Sequence, residues 1–184
     1  NQNVILPAIA LRGTTILPGM IVHFDVSRER SKKAIEAAML HDQKIFLVTQ
    51  IDPEVENPDV SGVYRVGTIS YIKQVVKLPQ DILRVLVEGT GRAVLEDFQQ
   101  DFPYLTGVIS PVKEEETLLP DTVTEAMYRS LKELFHRYCM ENGKISKELV
   151  SQILNIESLE ELIEQIAVNI PLSYQNKQKI LEAL

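Results

Sequence analysis

The feature that most constrains the fold of this chain is a pair of long apolar segments separated by a short turn. "VGTISYIKQVVKL" (66–78) is followed by "PQD" (79–81) and then by "ILRVLVEG" (82–89). Two strand-like segments joined in this way indicate a β-hairpin. Because apolar residues occupy both faces of each arm, the hairpin is typical of a small, tightly curled sheet whose outer face is partly covered.

Short apolar runs bounded by proline, glycine and aspartate extend the strand pattern from residue 4 to about residue 112. Together with the hairpin they predict about six strands. In "MIVHFDV" (20–26), Val22, Phe24 and Val26 share one face of a strand. A single helix follows this strand, and we predict Ser27 as its N-cap.

A charged segment ending in proline, "KEEETLLP" (113–120), separates this region from one with helical periodicity. We therefore predict an α+β chain, with a β-rich module over 1–116 and a small helical bundle over 117–184. Ser146 and Ser158 each begin a helix there. The apolar face of the first helix of the bundle is predicted at Val123, Met127, Leu131, Leu134 and Tyr138.

Composition limits the classes of partner. The 184 residues carry a net charge of −7, which disfavours a polyanionic partner such as nucleic acid. The single cysteine, Cys139, excludes an internal disulfide and multi-cysteine zinc sites. No apolar run approaches the ~20 residues that a membrane-spanning helix needs. Because the sequence begins at Asn1 and stops within a predicted helix, we expect it to be a fragment of a longer protein.

The glycine pair in "EGTGR" (88–92) raises the question of a phosphate-binding loop. A P-loop needs four residues between its first glycine and a Gly-Lys-Ser/Thr element, placed between a strand and a helix. Gly89 and Gly91 are separated only by Thr90, and the segment after them is strand-like. Glycine within a strand pattern usually marks a bulge, so we predict that this pair bends the sheet.

Other candidate chemistry is weaker still. His136 and Cys139 form half a metal site at most, and a helix that packs into a core offers no cleft for a nucleophile. Acidic residues alternate in the loop after residue 51, but the glycine and glutamate of a calcium-binding loop are missing. "RERSKK" (28–33) concentrates positive charge, and we interpret it as a solvated helix face. We assign no catalytic, cofactor-binding or metal-binding residue.

Apolar residues in two turns are candidates for a binding surface. "TILPGM" (15–20) surrounds a Pro-Gly turn, and "VVKLPQDIL" (75–83) forms the end of the hairpin. The candidate residues are Leu17, Met20, Leu78, Ile82 and Leu83. They either form an exposed binding patch or fold back onto the core, and the sequence leaves both alternatives open.

The order of these features resembles the N-terminal region of the Lon ATP-dependent proteases. Three separated segments carry the resemblance: the region from "LPAIALRGTTILPGM" to "KIFLVTQ" (6–50), "VGTISYIKQVVKLPQDILRVLVEGTGRA" (66–93) and "IPLSYQNKQKILE" (170–182). Two positions depart from the family pattern: Ala10 replaces the usual proline, and "PQD" replaces the commoner "PDGT" or "PNGT" turn.

The resemblance implies a PUA-like β pseudo-barrel followed by helices that lead towards an ATPase ring. In this family the ATP-binding motifs and the Ser–Lys protease dyad lie further along the chain, so no catalytic residue can be assigned here and the fragment is not expected to be an enzyme. The parent protein would be an ATP- and Mg-dependent serine endopeptidase. It would be a cytoplasmic homohexamer acting in protein quality control and the stress response.

The function that the resemblance implies is recognition of unfolded or damaged polypeptides, with contacts from Leu17, Met20, Leu78, Ile82 and Leu83. One alternative is a module that orders or gates the hexamer through contacts between its copies. A less favoured alternative is an RNA-binding module, since PUA-like folds often bind RNA, although the acidic charge disfavours it. No membrane partner is expected.

Overall fold

A computed structural model describes residues 2–112, 121–141, 143 and 145–183 of the chain. These residues form an α+β fold with six strands and five α-helices, as predicted. The strands are β1 (Val4–Leu11), β2 (Ile21–Val26), β3 (Lys44–Thr49), β4 (Val66–Leu78), β5 (Ile82–Gln100) and β6 (Thr106–Pro111). The helices are α1 (Glu29–Met39), α2 (Asp121–Glu141), α3 (Lys147–Leu154), α4 (Leu159–Asn169) and α5 (Tyr174–Ala183).

The six strands form one sheet in the order β2-β5-β4-β3-β1-β6. The β1–β3 pair is parallel and the other pairs are antiparallel. The first half of β5 pairs with β2 and its second half pairs with β6. The sheet therefore curls back on itself along β5, while β2 stays at an edge and no closed barrel forms.

The glycine pair lies at a bulge within β5, which confirms that it bends the sheet. Ile69 of β4 pairs with Gly91 and the next residue, Ser70, pairs with Gly89, so Thr90 is the extra residue of the bulge. The segments "ILRVLVEG" (82–89) and "RAVLEDF" (92–98), on either side of the bulge, are parts of this one 19-residue strand. The bulge gives the long strand the curvature that lets its two halves pair with different neighbours.

Apolar side chains fill the interior of the curled sheet. Ile35, Val85 and Val87 belong to a core cluster between α1 and the strands, and each is at most 1% exposed. A second cluster surrounds Phe46 and Leu95, both fully buried, where β3, β5 and β6 approach one another. Burying this apolar surface is the main stabilising contribution to the module.

Helices α2, α3 and α4 pack around Phe135, which is fully buried together with Leu162. The predicted face of α2 is wrong at Leu134, which is 48% exposed while its neighbour Phe135 fills the core; the side chain of Val123 lies outside the described residues. Ser146 and Ser158 cap α3 and α4 as predicted, each accepting a hydrogen bond from the backbone N–H three residues later. Helices α2, α3 and α4 thus share a hydrophobic core of their own.

The described residues group into two compact units: 2–112 with 173–183, and those of 121–172. Helix α5 thus belongs to the unit of the sheet, whereas the predicted division put it with the other helices. Its contacts explain this: Gln178 Nε2 donates to the carbonyl of Val66 at 2.9 Å, and Arg92 donates to the carbonyl of Leu181 at 3.0 Å. The predicted boundary segment, 113–120, lies outside the described residues.

Candidate functional site

Three of the five predicted surface residues are buried. Leu17 is 1% exposed, Met20 is 6% exposed and Leu83 is 8% exposed, so the expectation that they are surface residues is wrong. Leu78 and Ile82 are only partly buried and remain candidates for contact with a partner. The two turns that the sequence singled out therefore fold back onto the core to different extents.

Leu17 and Met20, on either side of the Pro-Gly turn, are buried because the turn packs across the bulged part of β5. The N–H of Gly19 donates to the carbonyl of Gly89 at 2.8 Å, and the N–H of Gly89 donates to the carbonyl of Met20 at 2.9 Å. A Cβ atom on residue 89 would lie 2.5 Å from the carbonyl oxygen of Leu17, so this close approach requires glycine. Gly89 thus also holds a loop from a distant part of the sequence.

The tip of the β4–β5 hairpin is fixed to helix α1 by a lysine. Lys32 Nζ lies 2.7 Å from a carboxylate oxygen of Asp81 and also donates to the carbonyl of Asp81 at 3.1 Å. The bond from Asp81 raises the pKa of Lys32, and the same contact lowers the pKa of Asp81. Because the tip is held in this way, Leu78 and Ile82 sit on a defined surface and not on a loose loop.

Leu78 and Ile82 lie on the face of the β2–β5–β4 ribbon that points away from the core. In the pairing of β4 with β5, Leu78 lies opposite Ile82 and Val76 lies opposite Arg84. Leu86 of β5 lies between Gln74 of β4 and His23 of β2. Residues opposite each other share a face, and diagonal neighbours are about 7–8 Å apart. We call this surface the outer sheet face, and its apolar members are Ile21, Val76, Leu78, Ile82 and Leu86.

Sequence reasoning missed three of these residues: Ile21, Val76 and Leu86. Ile21 is 55% exposed and Val76 is 40% exposed, while Leu86 is partly buried. The opposite side of the same ribbon carries the buried residues Val85 and Val87. The alternation in "RVLVEG" could have revealed Leu86, because the side chain of Leu86 points to the other face of the strand from those of Val85 and Val87.

Ion pairs lie among the apolar side chains of the outer sheet face. Arg84 donates to both carboxylate oxygens of Asp25, at 2.9 and 3.2 Å, and this contact lowers the pKa of Asp25. Lys73 lies 3.2 Å from Glu88. These charges are partly exposed, so they keep the surface hydrated and add little stability. The arrangement is an apolar strip with a polar frame, which suits contact with a partner better than chemistry.

The structure corrects the interpretation of "RERSKK" as a solvated helix face. Ser31 and Lys32 are both 7% exposed, and Arg28 and Arg30 are partly buried. The predicted N-cap is also displaced by one residue, since the N-cap position is held by Arg28 and makes no side-chain capping bond. The charged start of α1 is therefore packed against neighbouring loops instead of extending into solvent.

The described residues offer little that would support catalysis or metal binding. Burial raises the pKa of the Cys139 thiol, which is the opposite of the shift that activates a nucleophilic cysteine. No group of three or more histidine, cysteine, aspartate or glutamate side chains in the described part of the chain could hold a metal ion. Among the same residues, no helix is long and apolar enough to cross a membrane.

Comparison with known proteins identifies relatives over almost the whole chain. The family model of the ATP-dependent protease La (LON) substrate-binding domain matches residues 5–184. A Lon protease of Lachnoclostridium phytofermentans is 44% identical over 178 residues, which are 97% of this chain and 22% of that protein. Lon protease 1 of Bacillus subtilis is 37% identical over 177 residues, covering 96% of this chain and 23% of that protein.

The fold also has a solved counterpart. The N-terminal domain of the Mycobacterium avium complex Lon protease superposes with a TM-score of 0.73 at 19% identity, covering 97% of this chain and 90% of that domain. This likeness concerns the fold alone. The chain spans less than a quarter of the length of the curated relatives quoted above.

Proposed function

Because the chain belongs to the family of LON substrate-binding domains, we propose that it binds exposed apolar segments of unfolded or damaged polypeptides. The observation that carries this proposal is the outer sheet face, where five apolar side chains adjoin on one surface of the β2–β5–β4 ribbon. Folded proteins bury most such segments, whereas unfolded chains expose them. A surface of this kind therefore distinguishes the two states of a substrate.

The outer sheet face is suited to weak and reversible contact. Its apolar members are partly exposed and interspersed with the Asp25–Arg84 and Lys73–Glu88 ion pairs. A shallow apolar contact dissociates quickly, and affinity then comes from several copies acting together. Leu78 and Ile82, the two predicted residues that remain partly exposed, contribute to this contact in the proposal.

The wider setting is likewise a proposal. The parent protein would be a cytoplasmic, homohexameric serine endopeptidase that uses ATP and Mg and acts in protein quality control and the stress response. This chain would supply recognition without catalysis. Rapid release from its outer sheet face would allow a bound polypeptide to be transferred to the ATPase and protease parts of the same protein.

The proposal can be tested with matched double variants. Ile21→Ser with Val76→Ser removes two exposed side chains from the outer sheet face, which are 55% and 40% exposed. Ile51→Ser with Val55→Ser is the control, since these residues are of the same types, are 48% and 43% exposed, and lie outside that face. Binding of a labelled, uncharged unfolded polypeptide is measured by fluorescence anisotropy, with circular dichroism to verify folding.

We expect the outer-face double variant to raise the Kd by about tenfold, since it removes two aliphatic contacts that become partly buried when the polypeptide binds. Leu78→Ser with Ile82→Ser should have a similar effect, and the control pair should leave the Kd unchanged. Equal affinity of all these folded variants would refute the role of the outer sheet face. Concentration-dependent self-association without affinity for unfolded chains would instead favour the ordering of a hexamer.

A further inference from the structure

A groove at the start of α1 concentrates positive charge in this acidic protein. It has a volume of about 640 Å³, within the usual range for ligand sites. Arg28, Arg30 and Lys33 line it from α1 and its N-cap, and Arg12 lines it from the loop after β1. Its opposite walls are the loop after β3 and the loop between β5 and β6.

Arg28 forms the base of the groove and is bound by internal hydrogen bonds. Its guanidinium donates to Gln50 Oε1 at 3.2 Å, to the carbonyl of Glu56 at 2.9 Å, and to the carbonyl of Ala10. Burial, together with the charges of Arg12 and Arg30, lowers the pKa of Arg28 to about 10. This arginine therefore holds the loops together. Arg12, Arg30 and Lys33 carry positive charge around it, and Asp101 interacts electrostatically with Arg30.

Three further cations line the groove, and one of them, Arg12, donates from Nη2 to the carbonyls of Val55 and Glu56 at 3.4 and 3.5 Å. Among the described residues, the side-chain nitrogens of Arg12, Arg30 and Lys33 make no ion pair within 4.0 Å. Nη2 of Arg30 is shielded from solvent and has no hydrogen-bond partner in the described structure. A shielded, unpaired donor on a cation is an unfavourable arrangement, which a bound anion would relieve once the guanidinium turns towards the groove.

An aromatic ring adjoins these cations. Phe102 lines the groove and is 80% exposed, and Lys33 Nζ lies 5.9 Å from the centre of its ring. A ring in this position can pack against an apolar or aromatic side chain of a ligand while the cation beside it contacts an anionic group. The groove thus combines charge and apolar contact within one small surface.

The carboxylates of the groove distinguish between kinds of anion. Glu29, Glu56 and Asp101 also line it; Glu29 lies 3.2 Å from Lys32, and Asp101 interacts electrostatically with Arg30. A nucleic-acid backbone, with a phosphate at every step, would be repelled by these groups and by the net charge of −7. A peptide can place single carboxylates against the cations and leave uncharged residues beside the acidic rim.

We propose that this groove is a second contact site, which binds a glutamate or aspartate side chain of a polypeptide next to an apolar or aromatic residue. This inference rests on the proposed function and adds to it a preference for acidic segments. The outer sheet face would contact apolar segments generally, whereas the groove would select segments in which a carboxylate adjoins an aromatic residue.

The test uses two fluorescein-labelled peptides of equal length that repeat glutamate, phenylalanine and glycine, or glutamine, phenylalanine and glycine. The whole chain is compared with Arg30→Gln plus Lys33→Gln. Its matched control is Arg65→Gln plus Lys179→Gln, which removes one exposed arginine and one exposed lysine elsewhere on the same unit. A 12-nucleotide oligouridylate serves as the competing polyanion, and every protein is verified by circular dichroism.

We expect the glutamate peptide to bind more tightly than the glutamine peptide, and the groove variant to weaken its binding by about five- to tenfold. The control variant should change the Kd by less than about twofold. Equal binding of the two peptides would refute the proposal that the groove binds acidic segments, and would leave the proposed function intact. The proposal would also be refuted if the chain bound oligouridylate, the groove variant abolished this binding, and the glutamate peptide were not preferred. The groove would then bind a nucleic acid.

A further pair of outcomes separates the two sites. If the outer-face variant leaves peptide binding unchanged and the groove variant still weakens binding of the glutamate peptide, the groove is supported as a contact site. The role proposed for the outer sheet face is then refuted. If neither peptide binds the folded chain, both proposals are refuted.

Discussion

Replacing Gly89 by alanine tests how the curled sheet holds the Pro-Gly turn. The added Cβ would lie 2.5 Å from the carbonyl oxygen of Leu17 and 3.2 Å from the Cα of Pro18. Both neighbours are backbone atoms, so the clash cannot be relieved by rotating a side chain. The turn has to move away from β5, which loosens the packing of Leu17 and Met20 against the core.

The magnitude follows from the contacts that this movement disturbs. Two backbone hydrogen bonds join Gly89 to the turn, at 2.8 and 2.9 Å, and each contributes about 0.5–1.5 kcal/mol. Overpacking adds about 1–3 kcal/mol. We therefore expect Gly89→Ala to lower the free energy of unfolding by about 3 kcal/mol, which corresponds to a decrease in Tm of about 6–12 °C for a chain of this size.

Gly91→Ala is the matched control, because a Cβ at residue 91 meets no atom within 4 Å. Its expected effect is within about 1 kcal/mol. Thermal unfolding of both variants is followed by far-ultraviolet circular dichroism. Equal Tm values for the two variants would refute the argument that Gly89 is required by the close approach of Leu17.

Two further predictions concern other contacts. Asp81→Asn should lower Tm at pH 7, and its difference in Tm from the original chain should disappear towards pH 2. The reason is that Lys32 lowers the pKa of the Asp81 carboxyl. The carboxylate therefore stabilises the fold above its unfolded pKa of about 3.9, and this stabilisation is lost as the pH falls through the folded pKa. A constant difference from pH 7 to pH 2 would contradict this. Phe135→Ala should lower the free energy of unfolding of the helical unit by about 3–5 kcal/mol in urea unfolding, since Phe135 is fully buried. Leu134→Ala, at the exposed neighbouring position, should change that free energy by less than about 1 kcal/mol.

Local patterns in the sequence predicted most of the elements. Alternation in "MIVHFDV" correctly placed Val26 inside, and the structure keeps His23 and Asp25 exposed on the other face. The glycine pair correctly predicted a bend because both the pattern and the bulge are properties of a few consecutive residues. Ser146 and Ser158 were identified as caps for the same reason.

Features that depend on contacts between distant segments could not be predicted from such patterns. Leu17 is buried because its loop docks on Gly89, more than seventy residues away in the sequence. Lys32 is buried because the hairpin tip supplies Asp81 as its partner. For α2, several apolar residues made two adjacent stripes almost equally good, and packing against α3 and α4 selected Phe135 over Leu134.

The candidate site illustrates the same limit. Leu78 and Ile82 were identified because they adjoin a visible turn, but the rest of the outer sheet face needs the register of three strands. Ile21 is separated from Leu86 by more than sixty residues and becomes its diagonal neighbour only after β2 pairs with β5. The groove is likewise assembled from four separate segments, and only "RERSKK" was visible as a charged run.

The most direct measurement is the equilibrium binding of this chain to one labelled protein in two states. The protein is used in its native, disulfide-bonded form and after reduction and alkylation with a neutral reagent, so that its sequence stays the same. The account predicts binding of the unfolded form at micromolar Kd or weaker and no measurable binding of the native form. Equal binding of both forms, or binding of neither, would contradict the claim that this domain recognises unfolded polypeptides.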